Sequence, residues 1–151
     1  MVKFDGYMKE ALKEAACALR EDEVPVGAVI TCKGKIIARG HNQVERLKDP
    51  TAHAEMIAIT KASFHLRSKF LDNCTLFVTI EPCSMCAGAL VLSRLYRVVY
   101  GADDPKTGAL GSKLDINSLK LNHKFEVKKG VLAVEATSLM REFFTGKRSK
   151  V

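Results

Sequence analysis

The stretch Cys74–Ser93, "CTLFVTIEPCSMCAGALVLS", decides how the chain is read. Its first seven residues, Cys74–Ile80, form a nearly continuous apolar run, the pattern of a strand buried on both faces. Glu81 and Pro82 interrupt it. Proline suits the first position of a helix, where its missing N–H costs nothing, so Pro82 is expected to open a helix through Met85, Leu90 and Leu92. A buried strand running straight into a helix is the unit of an α/β fold. The two cysteines of that helix start, Cys83 and Cys86, lie one turn apart on the same face.

Working outward, "LYRVVYGA" (Leu95–Ala102) reads as the next strand and "DDPKTGALGSK" (Asp103–Lys113) as a loop rich in turn formers. "HKFEVKKGV" predicts a last strand, and "AVEATSLMREFFTGKR" a last helix with a basic end. On the N-terminal side, "AHAEMIAITKASFHL" is helical, with Thr51 as its expected N-cap. "NQVERLKDP" before it reads as loop, since Asp49-Pro50 disfavours helix at Asp49. "VPVGAVITC" (Val24–Cys32) and "KIIARGHN" (Lys35–Asn42) predict a hairpin turning at Lys33-Gly34. "YMKEALKEAACALR" (Tyr7–Arg20) carries Met8, Ala11, Leu12, Ala15, Ala16 and Leu19 at helical spacing. The expected architecture is an α/β fold: a three-layer α/β/α sandwich around a mixed five-stranded sheet, residues 1–151 forming one domain.

Bulk composition excludes some classes. The 151 residues are 47% hydrophobic and 27% charged, as in ordinary globular proteins. No apolar run approaches the ~20 residues of a membrane span, and no secretory signal is visible at the N-terminus, so a cytoplasmic location is expected. Five cysteines at scattered spacings argue for reduced thiols rather than a disulfide framework. Cys17 and Cys32, among apolar neighbours, read as small core residues. Net charge is +7 with a pI near 9.2, which favours polyanionic partners.

A lone C-x-x-C supports three readings: half a metal site, a redox pair, or coincidence. The helix N-terminus lowers thiol pKa and favours the thiolate that metals bind. A redox pair leaves unexplained why His53 and Glu55 occupy a similar helix start elsewhere. His53, Cys83 and Cys86 supply three ligands, one fewer than a closed structural zinc site, and so leave a fourth position for water, as in a catalytic zinc. The metal makes hydroxide available near neutral pH. Glu55, on the first helical turn beside His53, is placed to take the water's proton rather than to bind the metal. His41, His65 and His123 read as ordinary core or surface histidines.

H-x-E followed by P-C-x-x-C is the signature of the zinc deaminases, a class whose hydrolytic chemistry is general knowledge. "DPTAHAEMIAI", "TIEPCSMCAGALVLSR" and "VVYGADDPKTGALGS", with the "NH" of "LNHKFEV" and the "FF" of "REFF", resemble the bacterial tRNA-specific adenosine deaminases. The similarity runs from about Glu23 to Phe144. It implies a cytidine-deaminase-like fold and hydrolytic deamination of adenosine to inosine at the wobble position of a tRNA anticodon. It also implies one zinc per subunit on His53, Cys83 and Cys86, with Glu55 shuttling protons during attack at C6 of adenine.

The resemblance further places Asn42, the backbone around Ala54 and the side chain of Val26 at the nucleoside, Asp104 and Lys106 at the anticodon loop, and Phe144 beside the flipped base, one of Phe143 and Phe144 being core. Arg94, Arg97, Lys128, Lys129 and "GKRSK" are expected to hold phosphates, and a homodimer is expected, with neither DNA nor membrane as a partner. Ala136 stands where many relatives carry cysteine. Two other readings fit the same signature: a free-base or nucleoside deaminase acting on guanine or cytosine, and a non-catalytic zinc-containing RNA-binding subunit.

Overall fold

Strand periodicity and helix periodicity meet here in a five-stranded mixed sheet. The computed structural model describes residues 2–149. Its elements are α1 (Val2–Arg20), β1 (Gly27–Cys32), β2 (Lys35–His41), α2 (Val44–Leu47), α3 (Ala54–Leu66), β3 (Cys74–Ile80), α4 (Ser84–Leu92), β4 (Arg97–Ala102), a 3₁₀ turn at Ile116–Leu119, β5 (Glu126–Lys128) and α5 (Ala133–Ser149). The sheet order is β2-β1-β3-β4-β5. β1 runs antiparallel to β2 and β3, whereas β3, β4 and β5 are parallel. The expected mixed sheet with helices on both faces is therefore the observed one.

The side-chain alternation of a strand divides the core in two. Ala28 and Ile30 of β1, Leu76 and Val78 of β3, and Val98 and Tyr100 of β4 point to one face, where they meet Ala54, Ala58 and Ala62 of α3 and Ala87 and Leu90 of α4. Val29, Phe77 and Val99 point to the other face and pack on Met8 and Ala11 of α1 and on Val131. α5 lies on this second side against α1 and β4. All seven residues of β3 are buried, as its nearly continuous apolar run predicts.

Close packing of α3 on β2 depends on Gly40. A Cβ there would stand 2.6 Å from the Ala54 carbonyl oxygen and 3.1 Å from the Ala58 nitrogen. Both are backbone atoms of the helix that carries Glu55, so they cannot swing aside. Gly40→Ala is expected to cost about 2–3 kcal/mol in denaturant unfolding and to displace the start of α3. Unfolding within ~0.5 kcal/mol of the parent protein would show that α3 yields freely.

Several boundaries differ from expectation: α1 begins earlier, at Val2, and β1 later, at Gly27. Thr51 does not cap α3: its N–H and hydroxyl both donate to Asp49 Oδ1 in a tight turn, at 2.8 and 2.7 Å, and His53 takes the N-cap position. Pro82 lies outside α4, just before the N-cap residue Cys83. "NQVERLKDP" is not wholly loop, because Val44–Leu47 forms one helical turn. The Glu23 carboxylate creates that turn by accepting the N–H groups of Glu45 and Arg46, at 3.0 and 2.7 Å. The last strand is short, only Glu126–Lys128. Among the described residues, no helix is long and apolar enough to cross a membrane.

Candidate active site

His53 and Cys83 occupy the same local position on two different helices. Each is an N-cap residue in extended conformation, and neither spends its side chain on capping. Both side chains are thus free to project from helix N-termini. Cys86 lies one turn into α4 and is buried. His53 Nδ1 is 3.6 Å from Cys83 Sγ and 3.6 Å from Cys86 Sγ. The three ligand atoms all lie within 4.8 Å of one another and form a group that could hold a metal ion.

Glu55 is buried beside this triad but lies outside the group of candidate ligands. Burial pushes its carboxyl up to about 7, helped by the nearby Cys83 sulfur and opposed by its own backbone N–H. With no metal bound, the two thiols share a proton. Cys83 is drawn down to about 4, chiefly because its sulfur accepts from Cys86 and also from His53. Cys86 moves well above the usual thiol range, because it donates to Cys83 and is buried. Hydrogen bonding to Cys83 raises His53. The shifts of the three donor groups come chiefly from their closeness, and a bound metal cation would displace their protons.

His53, Glu55 and Cys83 line a cleft of about 850 Å³, with Cys86 buried behind it. Asn42, Ala54 and Val26 line it. Asn42 is buried, and its N–H donates to the Val26 carbonyl at 3.1 Å, tying two of these residues together. Asp104 also lines the cleft, joined by Thr107. The Asp104 carboxylate accepts from the Lys106 and Thr107 N–H groups and from the Thr107 hydroxyl, so its main local task is to shape its own turn. Lys106 does not line the cleft, nor does Phe144; Phe143 does, with the Phe144 ring edge-on to it at 5.1 Å.

The basic residues expected at phosphates make their own local contacts. Arg97 pairs in register with Thr75, at the end of the sheet remote from Cys83, and stacks on the Phe4 and Tyr96 rings. Arg94 stacks on Phe70, and Lys129 approaches Asp103 at 3.5 Å. None of Arg94, Arg97, Lys128 and Lys129 lines the cleft; among the described residues its lysine and arginine side chains are Arg46 and Lys147. Lys147, within "GKRSK", pairs with Asp22 at 3.1 Å, while Lys150 lies outside the described residues. His41 bridges Glu14 and Glu21, and His123 meets the Leu95 carbonyl; neither belongs to the triad.

Two carboxylates escaped sequence reasoning. Glu81, buried between β3 and Pro82, accepts the N–H groups of Asp104, Leu110 and Ser112 and the Ser112 hydroxyl. It gathers the loop after β4 onto the start of α4, where Cys83 and Gly108 form an isolated bridge. Glu23 organises α2 at the cleft wall in the same way. For Glu81 the available signal was an acidic residue ending a nearly continuous apolar strand, since a buried carboxylate requires dedicated donors.

The comparisons agree with this geometry. The MafB19-like deaminase family model matches residues 3–148. A tRNA-specific adenosine deaminase of Aquifex aeolicus is 47% identical over 146 residues, covering 96% of each chain. Its counterpart in Bacillus subtilis is 46% identical over 151 residues, covering 99% of this chain and 94% of the relative. A structure solved in a study of A-to-I editing by tRNA:A34 deaminases at the wobble position superposes with a TM-score of 0.87 and 41% identity. It covers 89% of this chain and 98% of its own. With nearly full-length identity on both sides and the same deaminase fold, the chain belongs to the MafB19-like deaminase family and, within it, to the tRNA-specific adenosine deaminases.

Proposed function

We propose that the cleft receives an adenosine from the wobble position of a tRNA anticodon and hydrolyses it to inosine and ammonia, with zinc held by His53, Cys83 and Cys86. The observation that carries this reading is a three-donor set with a buried carboxyl beside it that is not a member of the set. The donor spacing suits zinc. Tetrahedral zinc with Zn–N of ~2.05 Å and Zn–S of ~2.3 Å sets ligand nitrogen and sulfur about 3.6 Å apart. Both observed nitrogen–sulfur distances are 3.6 Å, the separation that ligands of one such ion would have. When bound, zinc lowers the pKa of water towards neutrality.

The chain's own residues carry the proton. Glu55, a buried carboxyl beside the donor set, accepts a proton from the water and holds it at the site. It returns that proton to N1 of adenine and later serves the amino group leaving C6 as ammonia. Asn42 orients the nucleoside, the Ala54 backbone and Val26 shape the pocket, and Phe143 walls it. A base stacked within the anticodon loop cannot reach this depth, so the target nucleotide must be splayed out. We also read the enzyme as a homodimer, supported by Phe64 and Leu92, which are 85% and 80% exposed on α3 and α4.

The test is inosine formation in an anticodon stem-loop bearing adenosine at the wobble position. Turnover is expected with zinc bound, loss of at least ~100-fold after chelation, and recovery on adding zinc back. Release of ammonia from free guanine or cytosine, with none from the stem-loop, would replace this reading with that of a free-base deaminase.

A further inference from the structure

We propose that Cys32 and Cys74 form a thiol pair that a hydroperoxide converts into an intramolecular cross-strand disulfide. The two residues are direct partners in the antiparallel pairing of β1 and β3. Partners in that register project to the same face of the sheet. Cys74 belongs to the core cluster beneath α3 and α4, and Cys32 packs against that cluster. Neither takes part in the triad of His53, Cys83 and Cys86.

Backbone hydrogen bonding fixes which kind of pair this is. The Cys74 carbonyl accepts from the Tyr96 N–H at 3.2 Å, and the Cys74 N–H donates to the Leu71 carbonyl at 3.0 Å. Both backbone groups of Cys74 are therefore committed away from β1, and Cys32 faces it as a non-hydrogen-bonded pair. Such pairs bring Cα atoms to about 4.5 Å, closer than hydrogen-bonded ones. A disulfide accepts Cα separations of roughly 4.4–6.8 Å. The sulfurs can thus join without strand movement.

The two ends differ in access. Cys74 is 1% exposed, whereas Cys32 is half-buried and directly precedes the Lys33-Gly34 turn at the rim of the sheet. Burial and the facing Cys32 push the Cys74 thiol up to about 12. Cys74 therefore keeps its proton, and Cys32 meets the oxidant first. The Cys32 sulfur attacks the distal peroxide oxygen; the O–O bond breaks, the alcohol departs, and a sulfenic acid remains. The Cys74 sulfur then attacks that of Cys32, forming the S–S bond and expelling hydroxide, which leaves as water with the Cys74 proton. Two thiols lose two electrons and two protons, and the hydroperoxide is reduced to alcohol and water.

The experiment exposes the zinc-loaded full chain to tert-butyl hydroperoxide, alkylates free thiols and digests with trypsin and chymotrypsin. Cleavage after Phe77 separates Cys74 from Cys83 and Cys86. The expected product is a Cys32–Cys74 linked peptide, with both thiols lost together and Tm raised by about 5 °C. Cys32→Ser is expected to abolish the linked peptide and the Tm shift while leaving Cys74 alkylatable. A Cys32 sulfenic or sulfinic acid accumulating beside a free Cys74 would overturn the pairing. So would reaction at half-buried Cys17 while Cys32 and Cys74 both stay reduced. Because peptide mapping reads the wild-type protein, failure of the variant to fold would not spoil the test.

Discussion

Glu55→Gln is expected to reduce inosine formation by about 10³-fold or more while zinc content stays unchanged. Positioned proton transfer contributes roughly 10²–10⁴-fold, and in the mechanism proposed above Glu55 both accepts and returns a proton in one turnover. Glutamine keeps the size of the side chain and removes that capacity. Because Glu55 lies outside the donor set, the ion should stay on His53, Cys83 and Cys86. Loss of zinc from the variant would instead make Glu55 a ligand.

The same substitution has an opposite signature in stability. A carboxyl raised from 4.5 to about 7 by burial binds its proton more tightly when folded than when unfolded. The folded metal-free protein therefore loses stability as pH rises from about 4.5 to 7, and the penalty is complete above 7. It amounts to about 3 kcal/mol. Metal-free Glu55→Gln should thus be the more stable protein at pH 8, with the difference vanishing below pH 4.5. Urea unfolding at the two pH values measures it, and an advantage at pH 4 equal to that at pH 8 would locate the effect in packing rather than charge. The site gives up stability in order to hold a titratable group away from water.

The second large effect is expected at Glu81. Its buried carboxylate accepts three backbone N–H groups and one hydroxyl, all from residues 104–112. Glu81→Ala leaves those donors without an acceptor and opens a cavity against Gly108, whose missing Cβ is what lets the carboxylate fit. A cost of about 3–5 kcal/mol in unfolding free energy follows. Zinc affinity should fall too, since the loop that Glu81 holds bridges to Cys83 through Gly108. Lys129→Ala, on an exposed side chain, is the control and should stay within about 0.5 kcal/mol. If Glu81→Ala unfolded like the control, the loop would be held by its own turns alone.

Both predictions bear on how the site is encoded. The chemistry was legible because ligand types and helix spacing are local properties: H-x-E and P-C-x-x-C each fall within one turn, and the apolar run of β3 announces its burial. The neighbours that shape the cleft are another matter. Phe143 faces it rather than Phe144 because α5 packs against β4 in one particular rotation, and two adjacent phenylalanines do not disclose which is turned inward. The rings over which Arg94 and Arg97 stack, Phe70 for one and Phe4 and Tyr96 for the other, are likewise not named by charge alone.

By itself, then, the order of residues determined the strand–helix alternation, the donor set and the carboxyl that serves it, because periodicity and short-range spacing carry that information. Only the tertiary structure decided that Glu81 and Glu23 are buried anchors, that Asp104 serves its own turn, and that His53 Nδ1 stands 3.6 Å from both sulfurs. Those are contacts between segments distant in the chain. They follow from the pairing of β1, β3 and β4 and the helices packed upon them, through hydrogen bonds whose partners no local pattern names.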